Sequence, residues 1–290
     1  MRPDLQMKID AAVSLLRKME PIALKYRDFG FICAFSGGKD SQVVRQLLNL
    51  AEVKHIVKYQ WTTIDPPEVI KFIREQYPDC IIERPERTFW QLCLHHGILP
   101  TQYKRFCCRE LKESRDANCV TITGVRRQES YKRRLRQQVE IRTRRRHPDF
   151  IRGTFDEFNM YRESHVDCIQ GKDKLIINPI IEWSEADVWD FLDYSDLPHN
   201  PLYDAGYSRV GCLFCPMASR RSLHKMEHDY PKYRAAFIRL IGRIRAKRLE
   251  NGGTDIYGAL TDEEIFSAWV NKQSMRKVAA EKCQLCLPFK

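Results

Sequence analysis

No uninterrupted apolar run long enough to cross a membrane occurs in the 290 residues, although 43% of them are hydrophobic. That combination excludes a helical membrane protein and predicts one or two globular domains with a substantial core. The opening MRPDLQMKIDAAVSLLRKME lacks both the apolar centre and the small-residue cleavage site of a signal peptide, and it patterns as an amphipathic helix. A cytoplasmic location without a membrane partner is therefore expected. Internal repeats and long low-complexity linkers are also missing. An even cysteine count is lacking too: there are eleven, several in pairs, which favours thiolate chemistry or a metal centre over a disulfide scaffold.

Acidic residues are in deficit, 38 against 49 Lys and Arg, for a formal charge of +11. The excess is concentrated. Between Arg126 and Arg146 ten Lys or Arg face only Glu129 and Glu140, a local balance of 10 − 2 = +8. Such a block is either a solvated loop or a surface that tracks the phosphates of a polyanion, since clustered guanidinium groups displace its condensed counterions.

Apolar runs followed by helix-period segments recur through the first 125 residues. Strands are expected at Phe31–Phe35, His55–Trp61, Cys80–Glu83 and Cys119–Val125. Helices are expected at about Ser41–Ala51, Glu68–Gln76 and Thr88–His96. The alternation predicts an α/β fold, an open and mainly parallel sheet with helices on both faces. Further on, Leu175–Ile181 reads as a strand and Ser184–Asp187 as a capping box with Asp in place of Glu. A largely helical stretch over Ser219–Leu249, interrupted near Pro231, is ended by Asn251-Gly252-Gly253. The expected division is a nucleotide-binding α/β domain over 1–182 and a helical, cysteine-rich part over 183–290.

SGGKDS (Ser36–Ser41) stands between the first strand and its helix, where a parallel sheet places ligands. Gly37 and Gly38 allow close backbone approach, Ser36 and Ser41 offer hydroxyls, Lys39 adds charge, and the helix contributes its positive end. Asp40 would repel a phosphate unless a cation intervened, which assigns it to Mg²⁺ bound by a polyphosphate. The spacing is neither GxxxxGK[ST] nor GxGxxG. Thr63 and Asp65, in the TTIDPPE stretch after the second strand, sit at the same edge of the sheet. Cys107-Cys108 and Cys212-Leu213-Phe214-Cys215 together offer four thiolates, which suit Zn²⁺ or an iron–sulfur cluster, and spacing does not choose between them.

SGGKDS resembles the PP-loop of the ATP pyrophosphatases. GVRRQES (Gly124–Ser130), NPIIEWSEADVWDFL (Asn178–Leu192) and NPLYDAGYSRVGCLFCP (Asn200–Pro216) resemble successive blocks of the phosphoadenosine phosphosulfate (PAPS) reductase family. The resemblance implies an adenine nucleotide alpha-hydrolase-like fold that binds ATP with Ser36, Gly37, Gly38 and Ser41. It implies catalytic roles for Lys39, Asp40, Arg126 and Arg127, and nucleotide contacts from Thr63, Asp65, Gly124 and Ser130. By the same carry-over Cys107, Cys108, Cys212 and Cys215 would hold a [4Fe–4S] cluster. Cys108 is less secure, because the DNA phosphorothioation branch reads more like CT at that pair. The intact glycine loop and a tail of Glu281-Lys282-Cys283-Gln284-Leu285-Cys286 in place of ECG depart from the assimilatory reductases. The expected function is that of the ATP pyrophosphatase component of DNA phosphorothioation: adenylation of a nucleic-acid acceptor, bound through segment 126–146, followed by sulfur transfer from a cysteine desulfurase. The alternatives are a PAPS or adenylyl-sulfate reductase, a tRNA-thiolating enzyme, and a nucleic-acid-binding module with a structural cluster.

Overall fold

A computed structural model describes residues 2–113, 115–142, 152–153, 174–255 and 257–285. Among them no helix is long and apolar enough to cross a membrane. Contacts sort the chain into two compact units: Met1–Gln60 with Pro67–Glu83 and Ser114–Val210, and Trp61–Pro66 with Arg84–Glu113 and Gly211–Lys290.

The first unit is the α/β sheet. Its strands are β1 (Phe31–Phe35), β2 (His55–Gln60), β3 (Ile81–Glu83), β4 (Val120–Ile122), β5 (Val139–Arg142), β6 (Arg152–Gly153) and β7 (Lys174–Ile177). They lie in the order β3-β2-β1-β4-β7-β5-β6. From β3 to β7 every pairing is parallel, while β5 runs antiparallel to both β7 and β6. The chain steps outward from β1 to β2 and β3, then crosses back to β4 on the other side of β1. This reversal opens a crevice beyond the carboxyl ends of β1 and β4, where open α/β sheets take their ligands.

The expected periodicities account for the elements. Val43, Val44, Leu47 and Leu48 are buried along the helix Lys39–Leu50, the i, i+3/i+4 face that the sequence displays. Leu5, Ile9, Ala12, Leu16, Met19 and Ala23 bury the equivalent stripe of the helix Pro3–Tyr26. Two strands are shorter than the apolar runs suggest. β4 ends at Ile122 because the chain then turns through Gly124 toward the loop after β1. β7 ends at Ile177, and the Asn178 side chain fixes the turn that follows, accepting from Thr123 and donating to the Gln137 carbonyl; Ile180 and Ile181 stay buried in it.

The second unit is helical: Phe89–His96, Phe106–Cys108 running into a π turn at Arg109–Glu113, Arg220–Asp229, Pro231–Glu250, Asp262–Val270 and Met275–Leu285. Pro231 occupies the first turn of its helix, where a missing N–H costs nothing, so the long stretch breaks there into two. Phe237 lies at the centre of an aromatic core, 5.5 Å from Phe89, 5.2 Å from Phe214 and 5.4 Å from Trp269 between ring centres. Such pairs add about 0.5–1.5 kcal/mol each beyond their burial. The Trp269 indole N–H donates to the Pro100 carbonyl at 2.8 Å.

Within the sheet unit, the capping box at Ser184–Asp187 does more than start a helix. Asp187 Oδ2 accepts from the Ser184 amide at 2.8 Å and from Lys8 Nζ at 2.6 Å, and Oδ1 accepts from Arg2 at 2.7 Å. Burial by itself would raise this carboxyl, but the bonds from Lys8 and the Ser184 amide outweigh it and bring it down to about 2. A depressed carboxyl contributes stability above its unfolded value of ~3.9 and loses it as the pH falls through the folded value. Asp187→Asn is expected to cost about 1–3 kcal/mol in urea unfolding at pH 7. The gap from wild type should hold down to about pH 4 and narrow below it; a gap independent of pH would show that the charge contributes nothing.

Candidate functional site

The crevice between β1 and β4 is built around SGGKDS. Gly37 lies in the left-handed region at φ +69, which a Cβ would strain. A Cβ on Gly38 would stand 3.2 Å from the Tyr203 hydroxyl and 3.4 Å from Ser36 Oγ. The loop amides point inward to hydroxyls: Ser36 N–H donates to Ser41 Oγ at 3.1 Å and Lys39 N–H to the Tyr203 hydroxyl at 2.9 Å. Ser41 Oγ in turn donates to the Gly38 carbonyl at 2.8 Å. Burial pushes the Tyr203 phenol well above its ordinary range, so this oxygen is a neutral hydroxyl. An amide nest at the head of a twelve-residue helix, satisfied by rotatable hydroxyls, suits an incoming phosphate that replaces them.

Charge is arranged tightly around this nest. Lys39 is buried, with Nζ 3.3 Å from Glu185 Oε1, 3.9 Å from Asp40 Oδ2, and 5.3 and 5.8 Å from the ring centres of Tyr203 and Trp189. Asp40 Oδ1 accepts from Arg126 Nε at 2.6 Å, and Arg126 is 3% exposed. The Arg126 amide is held by Glu129 at 3.1 Å. A Cβ on Gly124 would lie 2.7 Å from the Asp40 carbonyl oxygen, so glycine is the residue that lets the segment after β4 pass the loop.

The structure thus brings together Ser36, Gly37, Gly38, Lys39, Asp40, Ser41, Gly124 and Arg126. Arg127 is engaged elsewhere, with Glu182, the Gln137 side chain at 2.9 Å and the Arg136 carbonyl at 3.2 Å. Ser130 caps the short helix Tyr131–Arg134. Four residues of the site were missed by reading the sequence: Glu185, Trp189, Asn200 and Tyr203. Asn200 is fully buried, donates to the Gly37 carbonyl at 3.1 Å and accepts from the Leu202 amide at 3.1 Å. Its signal was the NPLY stretch, in which a buried Asn ahead of a turn has few purposes other than tying backbone to backbone.

The second unit holds the four expected thiols and, of TTIDPPE, the residues Thr62 to Pro66. Thr63, at φ +66, accepts from the Phe89 amide at 2.9 Å and so helps start that helix. Asp65 is turned onto Thr62, accepting from its amide at 2.7 Å and its hydroxyl at 2.8 Å, and Thr62 Oγ1 is 3.3 Å from Cys212 Sγ. Asp65 therefore belongs to the surroundings of Cys212. Phe214, left-handed at φ +50, turns the chain between Cys212 and Cys215.

Cys107, Cys108, Cys212 and Cys215 are half-buried free thiols. The bond between Cys107 and Cys108 is the largest influence on both, raising Cys107 and lowering Cys108. Burial pushes Cys212 up to about 11, against the pull of Lys112. Burial also opposes the charge on Lys112, but Cys212, Asp65, Cys108 and Cys215 outweigh it and raise that ammonium. Among the described residues no three Cys, His, Asp or Glu side chains already close on a metal position. The donors nevertheless fit a thiolate-held centre in kind and number: four sulfurs in one electrostatic neighbourhood with one lysine to offset their charge. Arg144, Arg145, Arg146 and Cys286 lie outside the described residues, and of Arg142 and Cys283 only the backbone is described.

Gly124→Ala is expected to lower stability by about 1–3 kcal/mol, because backbone stands in the way of the new methyl group. Calorimetric titration with a non-hydrolysable ATP analogue should show weakened binding as well; unchanged melting and affinity would mean that the Gly124–Asp40 contact is not needed.

The Phosphoadenosine phosphosulfate reductase domain matches residues 30–218. An uncharacterized protein of Methanocaldococcus jannaschii is 27% identical over 243 residues, which are 80% of this chain and 52% of that protein, so the chain spans about half the length of that relative. The adenosine 5'-phosphosulfate reductase of Bacillus mycoides is 28% identical over 205 residues, 67% of this chain and 75% of that enzyme. A phosphoadenylyl-sulfate reductase structure from Candida auris is similar at a TM-score of 0.42 and 15% identity, covering 70% of this chain and 95% of that one. The domain match takes in β1 with its glycine loop, the Gly124–Arg126 segment, the Asn200–Tyr203 clamp and the CxxC, and the chain belongs to the phosphoadenosine phosphosulfate reductase family.

Proposed function

We propose that the chain is an ATP pyrophosphatase that activates a nucleic-acid acceptor by adenylation for sulfur transfer, as in DNA phosphorothioation. The observation that carries this reading is the intact amide nest after β1, with Asp40 beside it and hydroxyls on the amides a phosphate would take. Ser36, Gly37, Gly38 and Ser41 would receive the outer phosphates of ATP. Lys39, its Nζ held between Glu185 and Asp40, would offset the charge that develops on the departing pyrophosphate. Asp40 would offer a carboxylate to the Mg²⁺ that ATP carries, and Arg126 would hold Asp40 in place.

In the reaction an acceptor oxygen attacks the α-phosphorus, the α–β bond breaks and pyrophosphate leaves. The terminal sulfur of a desulfurase persulfide then displaces AMP, and a further thiol releases the donor as a disulfide. Cys107, Cys108, Cys212 and Cys215 would hold a [4Fe–4S] cluster, with Zn²⁺ as the alternative metal; bound there, a cluster supplies a Lewis-acidic or redox centre close to Lys112. The basic segment 126–146 would guide the polyanion.

A second reading, reduction of an adenylylated sulfate, is favoured by the likeness to the Bacillus mycoides enzyme. The two differ in product. Incubation with ATP, DNA and a cysteine desulfurase is expected to release pyrophosphate, read with malachite green after pyrophosphatase treatment. Sulfite formed from adenosine 5'-phosphosulfate and a thiol donor, without pyrophosphate, would establish the reductase instead.

Asp40→Asn is expected to reduce pyrophosphate release about 100-fold while leaving the thiol centre intact; an unchanged rate would remove Asp40 from the nucleotide site. Cys212→Ser and Cys215→Ser should each cost anaerobically purified protein its iron and brown absorption, and retention of both would rule these ligands out.

A further inference from the structure

The basic segment after β4 contains two kinds of cation. Arg127 is paired with Glu182, Arg133 with Glu129 and Arg136 with Glu140. Lys132 and Arg134 make no ion pair among the described residues, and both are exposed. Beside them, on the helix Tyr131–Arg134 and at its C-cap, stand two apolar side chains that the fold leaves exposed: Tyr131 is 75% exposed and Leu135 is 56% exposed. Positions 131, 134 and 135 are related as i, i+3 and i+4, so ring, guanidinium and isobutyl group share one side of this turn. A large exposed ring costs hydration and contributes little to the core, and beside it stand Lys132 and Arg134, which make no ion pair among the described residues.

The patch also adjoins the nucleotide crevice. Its helix is capped by Ser130, which directly follows the turn Arg127–Glu129 that holds the Arg126 amide. Arg133 on the same helix lies within electrostatic reach of both Asp40 and Arg209.

We propose that Tyr131, Lys132 and Arg134 form a subsite for single-stranded nucleic acid, with an unpaired base stacked on the Tyr131 ring and flanking phosphates on Lys132 and Arg134. Leu135 extends the apolar floor. Cations alone do not tell a duplex from a single strand, because both present phosphates. An open aromatic face does, because a base shows its π-face only when it is out of the duplex stack. The subsite would place an unpaired acceptor strand at the mouth of the crevice, where an oxygen of its backbone or of a splayed base can meet the α-phosphorus of ATP. This inference rests on the nucleic-acid acceptor proposed above and narrows it to unpaired nucleotides.

Fluorescence anisotropy with labelled twenty-nucleotide oligothymidylate, and with its duplex with oligoadenylate, tests it on the full-length protein. Tyr131→Ala is expected to weaken single-strand binding about tenfold and leave the duplex unaffected, while Tyr131→Phe keeps wild-type affinity. Lys132→Ala with Arg134→Ala should weaken both ligands and make the single-strand salt dependence shallower by about 1.4 log units per log unit of salt. Melting temperatures of the variants, all at exposed positions, should match wild type. Equal single-strand affinities for wild type and Tyr131→Ala, or a parallel loss on the duplex, would overturn the stacking subsite while leaving the acceptor reading standing. Wild-type protein that binds neither ligand would overturn both.

Discussion

The contact of Arg126 with Asp40, 2.6 Å between Nε and Oδ1, joins the two segments that meet where the sheet changes direction. One is the loop after β1, which Asn200 and Tyr203 also hold, and the other is the turn after β4, which bonds Ile177 and Ile181 as well. Gly124 lets their backbones come within touching distance, and the ion pair then holds Asp40 at the rim of the amide nest. Because Arg126 is buried, its charge needs that partner: losing the carboxylate would leave an uncompensated guanidinium in the crevice, which costs far more than an exposed pair is worth. Asp40 is thus tied to the shape of the site, and in the proposed reaction it would also serve its chemistry.

Lys39 and Lys112 show the same principle in the two units. Each is an ammonium drawn out of water, and each is stabilised by the anions or polarizable groups collected around it. Lys39 has Glu185, Asp40 and two aromatic rings, whereas Lys112 has Asp65 and the thiols of Cys108, Cys212 and Cys215. A phosphate entering beside Lys39, or a cationic centre entering among the thiols, changes the balance that keeps each lysine where it is. Both lysines therefore sit in strongly charged surroundings, which in the proposed function would meet a phosphate beside Lys39 and a cationic centre beside Lys112.

The excess positive charge divides by the same criterion. Arg127, Arg133 and Arg136 spend their charge on internal carboxylates, so they shape the segment after β4 and add little to an outward field. Lys132 and Arg134 keep theirs toward solvent. A count of basic residues would overstate any polyanion-binding surface for this reason, since a guanidinium already paired releases fewer counterions on binding.

Much of the sheet and of the loop was legible in the sequence. Alternating apolar runs and 3.6-residue periods located β1 to β3 and their helices to within a residue or two. SGGKDS announced the nest, because only glycines between a strand and a helix allow that approach of backbone to ligand. The capping box at Ser184 is equally local, a matter of four consecutive residues. What the sequence could not specify depends on residues far apart in the chain. Nothing local says that Asp187 takes Lys8 and Arg2, that Tyr203 and Asn200 clamp a loop more than 160 positions earlier, or that Asp65 faces Cys212. Local order follows from propensity and period, which are properties of neighbouring residues; the pairing of buried charges and hydroxyls follows from which strands lie side by side, and only the folded sheet decides that.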